Sequence, residues 1–115
     1  MKKLEQIYEG KAKKVFRTDD PERFIVEYKD DATAFNGQKR GTIRGKGVVN
    51  NKMSNYLMQR LQAEAGIPTD FVEELSDRDT LLKKVSIVPL EVIVRNIAAG
   101  SFSARFGVPE GTQLL

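Results

Sequence analysis

The strongest periodic signal in the chain is a single long helix. Over residues 48–65 the apolar side chains Val49, Met53, Tyr56, Leu57 and Leu61 recur at helical spacing, and Gly66 followed by Pro68 supplies a stop. The stripe from Met53 to Leu61 is expected to be core packing, with no cofactor implied. Around it lie short strand-like segments. Residues 7–16 and 24–29 read as strands, the second with Phe24, Val26 and Tyr28 on one face, separated by the turn signal Asp19-Asp20-Pro21. Residues 71–75 and 81–85 read as two more, around the polar turn Ser76-Asp77-Arg78-Asp79. Residues 90–96 alternate, with Leu90, Val92 and Val94 on one face and Glu91, Ile93 and Arg95 on the other. A short helix follows Ser101 and stops at Gly107-Val108-Pro109. Between the early strands and the long helix, residues 30–47 are rich in Gly, Asn and basic residues without a sustained period, which predicts a long loop.

At 115 residues with 40% apolar content, the chain has the length of one ordinary domain, and a single compact unit is expected. The 19 basic and 16 acidic residues leave a net charge of +3, too small a surplus to imply a nucleic-acid or membrane partner by itself. Neither Cys nor His occurs. Disulfides, thiolate nucleophiles, imidazole bases and His or Cys zinc sites are thereby removed, and a cytoplasmic location is compatible with that. Phosphoryl transfer suits the remaining inventory, because there the protein chiefly positions groups and neutralises charge. Lys2 and Lys3 precede Glu5 and Gln6 with no apolar run, and no stretch approaches membrane-spanning length, so the chain reads as soluble and unprocessed. Its last residues, EGTQLL, lack a polar tail, which a shortened chain would explain.

Candidate chemistry gathers in three places. In YEGKAKKVF, Gly10 stands beside Lys11, Lys13 and Lys14 at a strand-to-strand turn, where backbone N–H groups can approach an anion and ammonium groups neutralise it. A hairpin with solvated lysines is the alternative. Nothing matches the Walker A pattern, and Gly45-Lys46-Gly47 lacks the third glycine of a dinucleotide loop, Asn50 standing in its place. Glu91 and Arg95 share a strand face with Cα atoms about 13 Å apart, too far to neutralise each other, so they either face solvent or line a cleft. In RNIAAGSFSARFG, Ser101 is expected to cap the short helix, with Arg95 upstream strengthening an anion site there. An ordinary capped helix with a surface arginine is the other reading.

Together these stretches, with GKGVVNNKMSNYLMQRL, AGIPT and above all VPLEVIVRNIAAGSFSARFG, resemble the SAICAR synthase (phosphoribosylaminoimidazole-succinocarboxamide synthase) family over essentially all 115 residues. The resemblance implies an α+β fold, a twisted antiparallel sheet with one main helix like the small lobe of a protein kinase. It makes residues 1–115 the nucleotide-binding half, with the family's carboxy-terminal half and second, acidic signature absent. The implied activity joins L-aspartate to the carboxylate of carboxyaminoimidazole ribotide, using ATP and magnesium, with the metal ligands outside this chain. By resemblance, Lys11, Ala12 and Lys13 cover the ATP phosphates, Val15 meets the adenine, and residues 85–88, Val88 among them, read the adenine edge. Lys83 is a phosphate partner by analogy with a kinase lysine. Asn36, Glu91, Arg95 and Ser101 fall at substrate positions, the last two on the ribotide phosphate, and Asn36 stands where relatives often carry an acid. No nucleic acid or membrane is implied, and a homo-oligomer is left open.

Two other classes compete. A basic nucleic-acid module would use Lys39, Arg40, Arg44 and Lys46, although only Phe35 offers that loop a stacking surface. A regulatory kinase-like lobe would bind ATP without turnover.

Overall fold

Strand-forming segments separated by turn chemistry pair antiparallel throughout. The computed structural model describes residues 1–35 and 37–114. Five strands, β1 (Lys3–Glu9), β2 (Lys13–Thr18), β3 (Arg23–Tyr28), β6 (Phe71–Glu74) and β7 (Asp79–Lys83), form one sheet in the order β1-β2-β3-β7-β6. Two more, β4 (Asp31–Ala34) and β5 (Lys39–Thr42), make a separate hairpin. The main helix α1 spans Lys46–Ala65 and a short helix α2 spans Gly100–Phe106. The expected α+β class, with an antiparallel sheet and one main helix, is what the chain adopts.

Cross-strand register sorts the side chains into two faces. Val15 pairs with Val26, and Val26 with Thr80, whose hydroxyl accepts from Asn55 of α1 at 2.8 Å. Lys13, Val15, Val26 and Thr80 therefore share the helix side of the sheet. Ile25, Leu81 and Lys83 share the other. Ile25, Val26 and Leu81 are buried, so the apolar core lies along β3 and β7.

α1 reverses the burial that its apolar pattern suggests. Its inward row is Gly47, Asn51 and Asn55, four residues apart, and Asn51 is fully buried. The Asn51 amide donates to the carbonyls of Ser76 (3.0 Å) and Asp77 (2.9 Å), while Asn55 also donates to Glu74 (2.9 Å). These turn carbonyls need donors, which leucine could not supply. Val49, Met53, Tyr56, Leu57 and Leu61 are instead 39–57% exposed, so the stripe expected to be core faces outward.

A residue remote in sequence holds the start of α1. The Asp30 carboxylate accepts from the N–H groups of Gly45 (3.2 Å) and Gly47 (2.8 Å) and takes a two-pronged bond from Arg78 at 2.6 and 2.9 Å. Arg78 and those N–H groups hold the Asp30 carboxyl well below the ordinary carboxylate range. A Cβ at Gly47 would lie 2.6 Å from the Tyr28 carbonyl oxygen, so only glycine fits there. At the other end Gly66 adopts φ 63° and the Ile67 N–H closes on the Leu61 carbonyl at 3.1 Å.

Four further expectations change. The strand predicted over residues 7–16 is two strands, broken where the Gly10 N–H donates to the Lys13 carbonyl at 2.8 Å. The loop predicted over 30–47 contains the β4–β5 hairpin, whose small residues alternate too weakly to signal it. Residues 90–96 form no strand: alternation yields one only where a neighbour supplies the hydrogen-bond ladder, and no strand pairs with residues 90–95 among the described residues. Ser101 lies inside α2, and Ala99 occupies the cap position.

Candidate functional site

The turn between β1 and β2 is fixed from beneath. Lys29, at the end of β3, donates its backbone N–H to the Ala12 carbonyl (2.7 Å) and its ammonium to the Gly10 carbonyl (3.2 Å). The same ammonium bonds Glu9 (2.7 Å) and approaches Asp31 (3.3 Å). Those carboxylates, Glu9 first, raise the Lys29 pKa, and Lys29 in turn lowers that of Glu9. Gly10 is thus a closed, two-bonded turn residue. The free groups at its tip are the next ones: among the described residues the N–H groups of Lys11 and Ala12 have no partner, and Lys11 and Lys13 join no ion pair. A cavity of about 360 Å³ separates this turn from the β4–β5 hairpin, lined by Glu9, Lys11, Lys29, Asp31 and Arg40.

Of the residues singled out for the nucleotide, Lys11, Ala12, Lys13 and Val15 are contiguous on this turn and the strand leaving it, with Lys13 and Val15 on the helix side of the sheet. Lys83 pairs with Arg23 on the opposite face, away from Val15. Val88 lies exposed in the irregular segment 84–99. A cavity of about 560 Å³ sits at the far end of β1–β3 between Leu4, Ile7, Phe24 and Lys84, and contains none of the residues singled out.

A second site forms around α2. The chain doubles back so that Ile97 bridges Gln113, with the Leu114 N–H on the Asn96 carbonyl (2.7 Å) and the Ala98 N–H on the Thr112 carbonyl (2.8 Å). This clasp brings Arg95 and Ser101 together on one cavity of about 250 Å³, with Phe102, Arg105 and Phe106. Two guanidinium groups line it and, among the described residues, no carboxylate does, so its charge calls for an anion. The first N–H of α2, at Gly100, is taken by the Glu110 carboxylate at 3.0 Å, so the side chains rather than the helix end carry this site. Glu91 is exposed and lies outside the cavity. Asn36 lies outside the described residues.

Sequence reasoning missed Lys29 and Arg105. Arg105 was legible: four residues after Ser101 on a helix, it falls on the same face. Lys29 carried no such signal, because its role depends on a turn and a hairpin that meet only in the fold. Of the cations a nucleic-acid module would present, Lys46 donates to the Asp31 carbonyl (2.8 Å) and Arg40 to that of Gly37 (3.2 Å). Among the described residues no three His, Cys, Asp or Glu side chains converge as metal ligands. No helix among them is long and apolar enough to cross a membrane.

A family model described as SAICAR synthetase matches residues 6–115. Phosphoribosylaminoimidazole-succinocarboxamide synthase of Lachnoclostridium phytofermentans is 67% identical over 115 residues, all of this chain and 48% of the relative. The crystal structure of that synthase from Ehrlichia chaffeensis superposes with a TM-score of 0.85 at 47% identity, covering 96% of this chain and 46% of the other. A SAICAR synthetase in complex with ADP superposes at 0.82, with 43% identity over 96% of this chain and 46% of its own. The chain spans about half the length of the relatives it matches.

Proposed function

The chain belongs to the SAICAR synthetase family, and on that premise we propose that it is the nucleotide-binding half of a ligase that joins L-aspartate to carboxyaminoimidazole ribotide with consumption of ATP. A carboxylate is a poor acceptor for an amine. In the proposed reaction a carboxylate oxygen of the ribotide attacks the γ-phosphorus, ADP leaves, and the aspartate amine displaces phosphate from the resulting acyl phosphate with loss of one proton. The products are the succinocarboxamide, ADP and phosphate.

This chain's part is binding and neutralisation. Lys11, Lys13 and the free N–H groups of Lys11 and Ala12 meet the ATP phosphates, Val15 packs on the adenine, and the backbone around Val88 reads its edge. Lys83, on the other face, stays outside this set. Arg95 and Ser101 take the ribotide phosphate; Glu91 and Asn36 belong to the substrate side by resemblance. Magnesium, with its ligands outside this chain, would supply charge neutralisation at the ATP phosphates. The partners are these small molecules, in the cytoplasm, without nucleic acid or membrane. The observation that carries the reading is the cavity of Arg95, Ser101 and Arg105, which among the described residues has no acidic lining and shares no lining residue with the cavity beside the lysine turn.

In the full-length protein carrying this chain, succinocarboxamide and ADP should appear in equal amounts, and only when ATP, aspartate and the ribotide are all present. ATP binding with no product would favour the regulatory lobe and end the proposal. A gel shift that vanishes with rising salt would favour the nucleic-acid module.

A further inference from the structure

We infer that Lys29 is the positioning residue of the phosphate-covering turn, acting through the backbone of Gly10 and Ala12 and by offsetting the carboxylate charge of Glu9 and Asp31. The inference rests on the reading of residues 10–13 as the nucleotide turn. Lys29 makes four contacts with three parts of the local structure: the end of β1 through Glu9, the turn through two carbonyls, and the start of β4 through Asp31. Its side chain is only 13% exposed, far less than the tips of Lys11 and Lys13 would suggest for this basic cluster. The ammonium is therefore committed to the protein and is not available as a fourth phosphate ligand.

The charges in the adjoining cavity show why the commitment matters. Its lining holds Glu9 and Asp31 against Lys11, Lys29 and Arg40. Both carboxylates are the ones that Lys29 contacts, so three cations stand against two carboxylates and the lining keeps a net charge of +1 toward an incoming polyphosphate. Without the ammonium, two carboxylates would face the phosphates, and the Gly10 carbonyl would lose its side-chain donor. Lys29 thus fixes the shape of the turn and supplies the net positive charge above it, which falls to zero without the ammonium.

The test compares Lys29→Met, Lys29→Arg and Lys13→Ala in the full-length protein, measuring the KM for ATP, the KM for the ribotide and the melting temperature. Lys29→Met is expected to raise the ATP KM by about tenfold, the loss of a charge-assisted hydrogen bond, and to leave the ribotide KM within about twofold of the parent. Lys29→Arg should restore most of the loss. Adding Glu9→Gln to Lys29→Met should recover part of it, because it removes one bare carboxylate; a purely structural lysine would show no such recovery. Where methionine unfolds the lobe, Lys29→Gln keeps a donor, drops the charge and serves the same comparison. An ATP KM unchanged by Lys29→Met or Lys29→Gln, while Lys13→Ala raises it, overturns the inference and spares the turn reading. An ATP KM unchanged by Lys13→Ala overturns the turn reading itself.

Discussion

The seam between α1 and β7 and the irregular segment 84–99 break the usual rule of burial in opposite directions. At the seam the buried side chains are polar: Asn51, Asn55 and Thr80 interlock with two turn carbonyls. In the segment the exposed side chains are apolar, with Val94 reaching 88% exposure. Burial follows from what stands opposite. A polar group goes inside where every donor meets an acceptor, and an apolar one stays outside where nothing covers it.

The widest test of this contrast is Gly47→Ala. Its Cβ would meet the Tyr28 carbonyl and the Arg78 guanidinium at 2.6 Å each, so urea unfolding should show a loss of about 3 kcal/mol. An unchanged midpoint would mean that the helix start is not pressed against β3. Next comes Asn51→Ala, which strips the Ser76 and Asp77 carbonyls of their donor and should destabilise by about 2 kcal/mol. A loss near zero would make the buried amides replaceable and blunt the comparison.

Acid should act through the same seam. The folded-state pKa of Asp30 is depressed, so its contribution is present above the ordinary carboxylate pKa and is lost as pH falls toward the folded value. Thermal melts should drop in temperature below about pH 4, and Asp30→Asn should flatten that slope; an equal slope in the variant would place the acid sensitivity elsewhere. The smallest effect is expected in the segment. Val92→Ser or Val94→Thr in this 115-residue chain should change stability by no more than about 0.5 kcal/mol, and a loss above about 1 kcal/mol would show the segment to be packed.

The parts of the fold visible in the sequence were those governed by local chemistry. Gly66 with Pro68 marked the end of α1, and the polar run 76–79 marked the β6–β7 turn. What stayed hidden depended on distant partners. Asp30 caps a helix from outside it, and the apolar stripe of α1 looks inward in sequence because periodicity shows that a face exists but not which face is covered. The candidate site divides the same way. Lys11, Lys13, Arg95 and Ser101 were readable from motifs, whereas Lys29 enters only once the turn and the β4–β5 hairpin are folded against each other.

The central claim is that one lobe carries two independent anion sites. It is tested most directly by titrating the full-length protein, its Lys13→Ala variant and its Arg95→Ala variant with ADP and, separately, with the ribotide, and recording the dissociation constants. The account predicts a crossed pattern: Lys13→Ala weakens ADP by about tenfold and leaves the ribotide alone, and Arg95→Ala does the reverse. Arg95→Ala weakening ADP while the ribotide still binds at full strength would contradict it.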